Sequence, residues 1–386
     1  MLSSPSKKRP QCGNTGDGKL ETRAKLWVPG VERILERIYE VLDGGPGLKR
    51  LPHGTMMDKL KQRLGRIAEV MPPTRPIIYL DYPVHDNVGD LLIHQGADAF
   101  LNDYGYTVLG RFSIHDFCHT HRASAPLVIF KSSIRDLDAL VEHYDCSLAL
   151  HGGGNLGDLW PDFQMFREML IERYVDTPIV ILPQSVHFAS PITRDRAAKV
   201  FGGHRRLFTF VRDIESLTFI HDDCGGAGEI MPDMAHQLWG TAVFARATTA
   251  KASGTLIQRR RDKERRDETA VEPATFDWND LKGDGETLVL RALRKWQTID
   301  NPLRHWVPNY QLWRIFRDRL VRRAIDRFNP YERIDTDRLH GLILGALMSK
   351  KVRYGEGTYG KLHRYAQLWL TESELIESNR SARTAA

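Results

Sequence analysis

The chain has 386 residues, 41% of them hydrophobic, with 55 Lys and Arg against 49 Asp and Glu for a formal net charge of +6. That length accommodates two domains with cores of their own; the ordinary composition excludes disordered and fibrous classes, and no apolar run approaches the ~20 residues of a membrane span. The basic balance favours anionic partners, either phosphorylated small molecules or an anionic membrane surface, and without an RNP-type aromatic pattern or zinc finger it argues against nucleic acid.

Four scattered cysteines, Cys12, Cys118, Cys146 and Cys224, form no CxxC pair. This excludes a disulfide framework and a zinc site and fits a reducing cytoplasm. The basic, polar N-terminus has no apolar h-region, so a cytoplasmic protein is expected, with any membrane contact peripheral and at the inner face. The carboxylates are dispersed, and no metal site is expected.

Residues 1–24, rich in Ser, Lys, Gly and Thr, read as a mobile segment. Helical patterns follow over Val31–Leu42 and Met57–Val70, separated by Gly44-Gly45-Pro46-Gly47 and closed by Pro72-Pro73. From Pro76 the pattern alternates strand and helix. Ile77–Tyr82 is a strand leading to His85-Asp86-Asn87-Val88-Gly89-Asp90, with a helix from Asp90 to Tyr104. Tyr106–Leu109 and Leu127–Phe130 are further strands, and Leu137–His143 is a helix. Leu148–Leu150 runs into His151-Gly152-Gly153-Gly154-Asn155-Leu156-Gly157-Asp158, with a helix carrying Phe163, Phe166, Leu170 and Tyr174 beyond. Ile179–Leu182 ends in Pro183-Gln184-Ser185-Val186-His187.

A second series starts at Leu207–Val211, which runs into Arg212, and continues through Ile230–His236. Thr255–Gln258 is a strand running into the Arg259–Arg266 block, residues 267–285 form a polar loop, and Ile334 onward resumes with Asp335–Gly341. Two βαβ series of this size predict an α/β protein with mostly parallel sheets, two Rossmann-like domains facing a central cleft, and ligands at the carboxyl ends of the strands. The pattern Tyr310–Phe328 places Leu312, Ile315, Phe316, Leu320 and Ile325 on one side of a helix with Arg314, Arg317, Arg319, Arg322, Arg323 and Arg327 elsewhere. Such a helix lies on an anionic membrane or packs on the core with a basic solvent face.

Five strand ends carry the chemistry-bearing residues. Asn87-Val88-Gly89-Asp90 gives a tight turn in which Asp90 caps the following helix or reaches the cleft. Gly152, Gly153 and Gly154 form a cradle of backbone N–H groups for an anion or an ordinary tight turn, with Asn155 and Asp158 placed to hold a hydroxyl. Gln184 and His187 end the next strand, His187 as a structural or a ligand-binding histidine. Arg212 starts a helix, where a bound anion also meets the dipole; one of Arg259, Arg260 and Arg261 points inward by alternation, or the block is a solvated charge run. Finally, Arg338 suits bidentate capture of carboxylate or phosphate, or pairs with Asp337, and His340 can act as acid or base.

His-Gly-Gly-Gly-Asn-Leu-Gly-Asp-Leu-Trp (151–160), Leu-Pro-Gln-Ser-Val-His-Phe (182–188), Pro-Asp-Met-Ala (232–235), Asp-Arg-Leu-His-Gly (337–341) and Gly-Thr-Tyr-Gly-Lys-Leu (357–362) occur in that order. With Asn-Val-Gly-Asp (87–90), they resemble the polysaccharide pyruvyl transferase family from about Ile77 to Leu370. The resemblance implies a GT-B-like fold, phosphoenolpyruvate as co-substrate with no further cofactor, and a sugar hydroxyl pair as acceptor, on an exopolysaccharide or its lipid-linked oligosaccharide repeat unit. The products are a pyruvate ketal and phosphate. It implies donor binding by Arg338 and Leu339 with His340, by Arg212, and by Arg261 of the arginine block. His340 is then the general acid, or stabilises the departing phosphate, and Asp90 or Asp158 is the base. Asn87, Gly152, Gly153, Gly154, Asn155, Gln184 and His187 line the acceptor side. The division expected is a tail and helical extension over 1–75, an acceptor-side domain over 76–200, a donor-side domain over 201–370 and a tail over 371–386. A GT-B glycosyltransferase using a nucleotide sugar is the alternative.

Overall fold

Short apolar runs make most of the strands, the central ones buried on both faces, and every strand pair among the described residues is parallel. The computed structural model describes residues 50–117, 131–245, 252–261, 275–297, 309–355 and 360–378. Its first sheet comprises β1 (Ile77–Leu80), β2 (Val108–Phe112), β3 (Ser147–Leu150), β4 (Gly153–Gly157), β5 (Ile179–His187), β6 (Leu207–Val211) and β7 (Ala227–Ile230). Their order is β2-β1-β3-β5-β6-β7, with β4 continuing beside β5. A second sheet, in the order β11-β10-β9-β8, contains β8 (Thr255–Gln258), β9 (Arg333–Thr336), β10 (Lys351–Tyr354) and β11 (Ile376–Ser378). Both sheets belong to one compact unit, Lys49–Ala386.

The main helices are α1 (His53–Leu64), α2 (Arg66–Val70), α3 (Val88–Asp103), α4 (Lys131–His143), α5 (Pro161–Arg173), α6 (Pro191–Gly203), α7 (Asp284–Gln297), α8 (Asn309–Phe328), α9 (Leu339–Leu347) and α10 (Lys361–Trp369). Strand alternation decides which layer each side chain enters. Ile78, Leu80, Leu148, Leu150, Ile179 and Ile181 face one core with residues of α4, α5 and α6. Ile77, Tyr79, Ala149, Val180 and Leu182 face the other, which is continuous through α1, α3, α8 and α9 to Ile334 and Val352 of the second sheet. One helical layer therefore lies between the two sheets and sets the distance between their strand ends.

Several expectations are corrected. Leu207–Val211 and Ile230 are not the start of a second series: β6 and β7 complete the first sheet, because Val211 pairs with Gln184 and Ile230 with Val211. The change of sheet falls between Ile230 and Thr255 rather than at 201. The stretch after Leu370 is not a bare tail but supplies β11. Pro183–His187 continues its strand, and Gly153–Gly157 is a strand rather than a phosphate cradle opening a helix; the next helix begins only at Pro161. Within 267–285, Phe276, Asp277 and Trp278 are buried and structured. Residues 1–49, the Leu127–Phe130 strand, 262–274 and 356–359 of the late motif lie outside the described residues.

The contact that most constrains the middle layer is between α3 and the 3-10 turn Met234–Leu238. A β-carbon added to Gly96 would lie 2.1 Å from the Met234 carbonyl oxygen, an obstacle made of backbone. Gly96→Ala is expected to cost roughly 1–3 kcal/mol or more, read as a lowered urea midpoint. Because Met234 follows Asp233, described below, activity should fall with stability.

Candidate functional site

β2 lies on one side of β1 and β3 on the other, so the connections leaving β1 and β3 diverge there. That divergence opens a crevice beyond their carboxyl ends, the usual ligand position of a doubly wound sheet. Behind the crevice sits a buried polar layer. Asp81, directly after β1, has φ +65, a strained conformation for a residue with a side chain. Its Oδ2 accepts from Arg167 Nη2 at 2.6 Å, and Arg167, fully buried on α5, also donates to the Asn155 carbonyl (2.9 Å) and Oδ1 (2.7 Å). Burial pushes the Asp81 carboxyl up, against the pull of the Arg167 charge. Gln184 Nε2 donates to the His151 carbonyl at 2.8 Å and to Asn155 Oδ1 at 3.1 Å. The His151 ring meets the Tyr79 hydroxyl at 2.8 Å. Burial first, then the positive charge of Arg167, holds its pKa well below the usual histidine range, so it is neutral. This layer clamps the glycine stretch from below.

Above it, Asn87, Asp90, Gly153, Gly154, Arg212, Asp233 and His340 converge from five chain segments. Asn87 caps α3, accepting from the Gly89 N–H at 3.1 Å and donating through Nδ2 to Asp90 Oδ2 at 2.8 Å. Asp90 is therefore not the cap; it occupies the first helical turn, 3.6 Å from His85 Nε2. A β-carbon on Gly153 would lie 3.6 Å from Asp90 Oδ1, and one on Gly154 3.3 Å from Arg212 Nη2. The two glycines thus run between the Asp90 carboxylate and the Arg212 guanidinium. Arg212, at the end of β6, is paired with buried Asp233, and its Nε donates to Ser185 Oγ at 3.2 Å. Asp233 Oδ2 also lies 3.4 Å from His340 Nε2. His340 stands in the first turn of α9 against Gly89, whose added β-carbon would be 2.5 Å from His340 Nδ1.

Asp233 is the hub. Burial alone would raise its carboxyl, but the hydrogen bond and charge of His340, the Arg212 charge and the Ala235 N–H hold it well below the usual range. Helix α10 fixes the hub from behind: the Asp233 N–H donates to Tyr365 Oη at 2.9 Å, and Trp369 Nε1 donates to the Arg212 carbonyl at 2.9 Å. His340 keeps 14% and Asp90 28% of its side chain exposed, while Arg212 and Asp233 are covered to 3% and 0%. A ligand can therefore touch the His340 imidazole and the Asp90 carboxylate directly, while the Arg212–Asp233 ion pair is covered behind them.

Other expected residues stand elsewhere. Asp158 is engaged elsewhere: it accepts from the Ala189 and Ser190 N–H groups at 2.9 and 2.8 Å and from Thr193 Oγ1 at 2.9 Å, holding the turn that leads into α6. Burial raises its carboxyl and these bonds outweigh that, lowering it. His187 contributes its carbonyl to the same turn, accepting from the Asp158 N–H at 3.1 Å. Arg338 is neither paired with Asp337 nor extended: its Nε and Nη2 grip Asp277 Oδ1 and Oδ2, both at 2.7 Å. Arg261 Nη1 pairs with Asp280 Oδ1 at 2.9 Å and its N–H with Asp277 Oδ2 at 3.0 Å, and Arg259 pairs with Asp335 at 2.8 Å. Asp262 and Glu264, carboxylates within that charge run, lie outside the described residues. Leu339 packs on the central core, and Gly152 lets its backbone approach the Pro183 carbonyl, 2.8 Å from an added β-carbon.

Three residues of this architecture escaped the sequence. Asp233 was visible within Pro-Asp-Met-Ala at a strand end, yet nothing local announced its partners. Arg167 on α5 drew no reading from the sequence, and Asp277 falls within the expected polar loop 267–285. Among the described residues no group of three or more His, Cys, Asp or Glu side chains is arranged to hold a metal ion, and no helix is long and apolar enough to cross a membrane.

With this geometry established, comparison with known proteins is informative. Residues 87–354 match the family model described as polysaccharide pyruvyl transferase. The chain is 29% identical over 319 residues to EpsO of Bacillus subtilis (strain 168), a pyruvyl transferase by designation, covering 81% of this chain and 91% of that one. It is 26% identical over 302 residues to pyruvyl transferase 1 of Schizosaccharomyces pombe, covering 77% and 70%. Among solved structures, an uncharacterized protein of Klebsiella pneumoniae subsp. pneumoniae aligns with a TM-score of 0.51 at 16% identity, over 83% of this chain and 98% of that one. That likeness speaks to the fold alone.

Proposed function

The chain belongs to the polysaccharide pyruvyl transferase family and is a transferase; on that premise we propose that it moves the pyruvyl group of phosphoenolpyruvate onto two hydroxyls of a sugar, forming a ketal and releasing phosphate. The observation that carries the reading is the convergence of His340, Asp233, Arg212, Gly154 and Asp90 at the strand ends. The donor brings a carboxylate and a phosphate, and it would meet the Arg212 cation, the His340 imidazole and the N-terminus of α9, which carries no side-chain cap.

In this mechanism His340, held by Asp233, gives a proton to the methylene carbon, and positive charge develops at C2. One sugar hydroxyl attacks C2 as Asp90 takes its proton. The C2–O bond to phosphate then breaks and the second hydroxyl closes the ring. Of the two hydroxyl protons, one balances that placed on the new methyl group and the other leaves with phosphate. Arg338 acts at one remove, through Asp277, by fixing the start of α9 that carries His340. The same reading takes the donor to lie where Arg212 of the first sheet meets the start of α9 before the second, in a GT-B-like division.

Ligand-dependent stability tests it. Phosphoenolpyruvate at about 100 times its Kd is expected to add ~2.7 kcal/mol to the unfolding free energy, seen as a raised Tm, while a nucleotide sugar leaves Tm unchanged. Stabilisation by the nucleotide sugar alone overturns the reading.

A further inference from the structure

Helices α7 and α8 carry exposed apolar and basic side chains. These helices are antiparallel neighbours. Near the start of α7, Glu286 Oε1 receives Arg323 Nη2 at 2.8 Å and Arg319 Nη2 at 3.4 Å from the second half of α8. At the other end, Gln297 Nε2 donates to the Tyr82 hydroxyl at 2.7 Å, and Tyr310 stacks edge-on against the same ring at 5.1 Å. The apolar stripe expected along α8 is divided. Phe316, Leu320 and Ile325 are buried, whereas Leu312 and Ile315 remain 45% and 67% exposed, and on α7 Leu288 and Val289 are 69% and 48% exposed.

Among the described residues, four of the nine exposed large hydrophobic side chains are on these two helices. Scattered apolar residues need no explanation, but a cluster does. The same two helices carry Arg291, Arg314 and Arg322, exposed and with no ion-pair partner among the described residues. We propose that the face formed by α7 and α8 docks on an anionic phospholipid surface, with Leu288, Val289, Leu312 and Ile315 entering the interface and the arginines meeting headgroup phosphates.

Charge complementarity selects that occupant. Exposed apolar side chains on helices with more arginines than carboxylates match the layered chemistry of an anionic interface. A second copy of the same face would bring unpaired arginines against unpaired arginines. The position of the face also fits. Arg294 of α7 donates to the Val84 carbonyl at 2.7 Å, and Lys282, just before α7, pairs with Asp86. The docked helices thus brace the segment that leads directly into Asn87 and Asp90. Resting on the ketal reading, a docked site would take a lipid-linked sugar acceptor held at the same surface; the docking itself stands without that reading.

Co-sedimentation of the full chain with vesicles decides it. Binding is expected to phosphatidylglycerol-containing vesicles and not to pure phosphatidylcholine, with salt weakening it. Each arginine near such a surface contributes about fivefold, so R291Q/R314Q/R322Q should lower partition on the order of 10²-fold. L288S/V289S/L312S/I315S should abolish it. Both variants alter exposed side chains, so the Tm gain on adding phosphoenolpyruvate should persist in each. Loss of vesicle binding with that gain intact supports the docking face. Equal binding to neutral vesicles, no binding by the wild type, or dimerisation abolished by the serine variant each overturns it. Failure of the phosphoenolpyruvate response in the wild type instead overturns the donor assignment and leaves the docking result standing.

Discussion

His340→Ala is expected to slow phosphate release from phosphoenolpyruvate in the presence of acceptor by ~10²–10⁴-fold, the usual contribution of a positioned general acid. Its fold should be unaffected. The ring is partly exposed in the first turn of α9, and its removal leaves Asp233 with Arg212 and the Ala235 N–H. The measurement is turnover beside Tm; near wild-type turnover in the alanine variant would remove His340 from the acid role. Gly89→Ala offers an independent approach to the same group. Its β-carbon would sit 2.5 Å from His340 Nδ1, so the ring must swing away although no catalytic atom is deleted. Lowered turnover in that variant would tie activity to where the imidazole stands.

The largest stability effect is expected from Asp233→Ala. It leaves the Arg212 guanidinium covered and without its carboxylate, a situation that typically costs ~3–5 kcal/mol. A carboxyl whose folded pKa lies below its unfolded value contributes stability that is full above the unfolded value, near 4, and is lost as pH falls through the folded one. Asp233 is of this kind, so the gap between wild type and variant should be widest near neutrality. It should narrow only in acid, as the pH drops below about 4. Urea unfolding at a series of pH values measures it, and a gap that widens in acid would mean that Asp233 is not ionised in the fold.

What the sequence disclosed follows from the range of the forces involved. Leu207–Val211 and Thr255–Gln258 are strands as read, since an apolar run between polar segments is a local signal. Their membership of different sheets was not legible, because pairing partners such as Gln184 and Val211 lie far apart in the chain. The same limit applies within the site. His340, Arg212 and Asp90 stood out as reactive types at strand ends, yet Arg338 chose Asp277, 61 residues away, over its neighbour Asp337. The glycines invited a phosphate cradle, whereas their use is to let backbone pass between Asp90 and Arg212 and along β5. Local composition identified the actors, and long-range pairing assigned their parts.

The closure of the second sheet has a consequence for how the protein is made. Leu51 bridges to Ser373, and its N–H donates to the Glu372 carbonyl at 2.7 Å. His53 meets Ser373 Oγ at 2.8 Å and the Ala346 carbonyl at 2.7 Å, the first of these bonds spanning 320 residues. At synthesis rates of ~5–20 residues per second, α1 waits on the order of tens of seconds for these partners to emerge. Meanwhile β1 to β7 have emerged with α3, α4, α5 and α6, and of the helices in the shared core only α8, α9 and their neighbours are still to come. The rest of α1 can dock earlier, since Arg63 pairs with Glu229 and Asp58 accepts from Trp239 Nε1 at 2.9 Å, so the late step left to the earliest-made helix of the described chain is the closure of its first turn at His53.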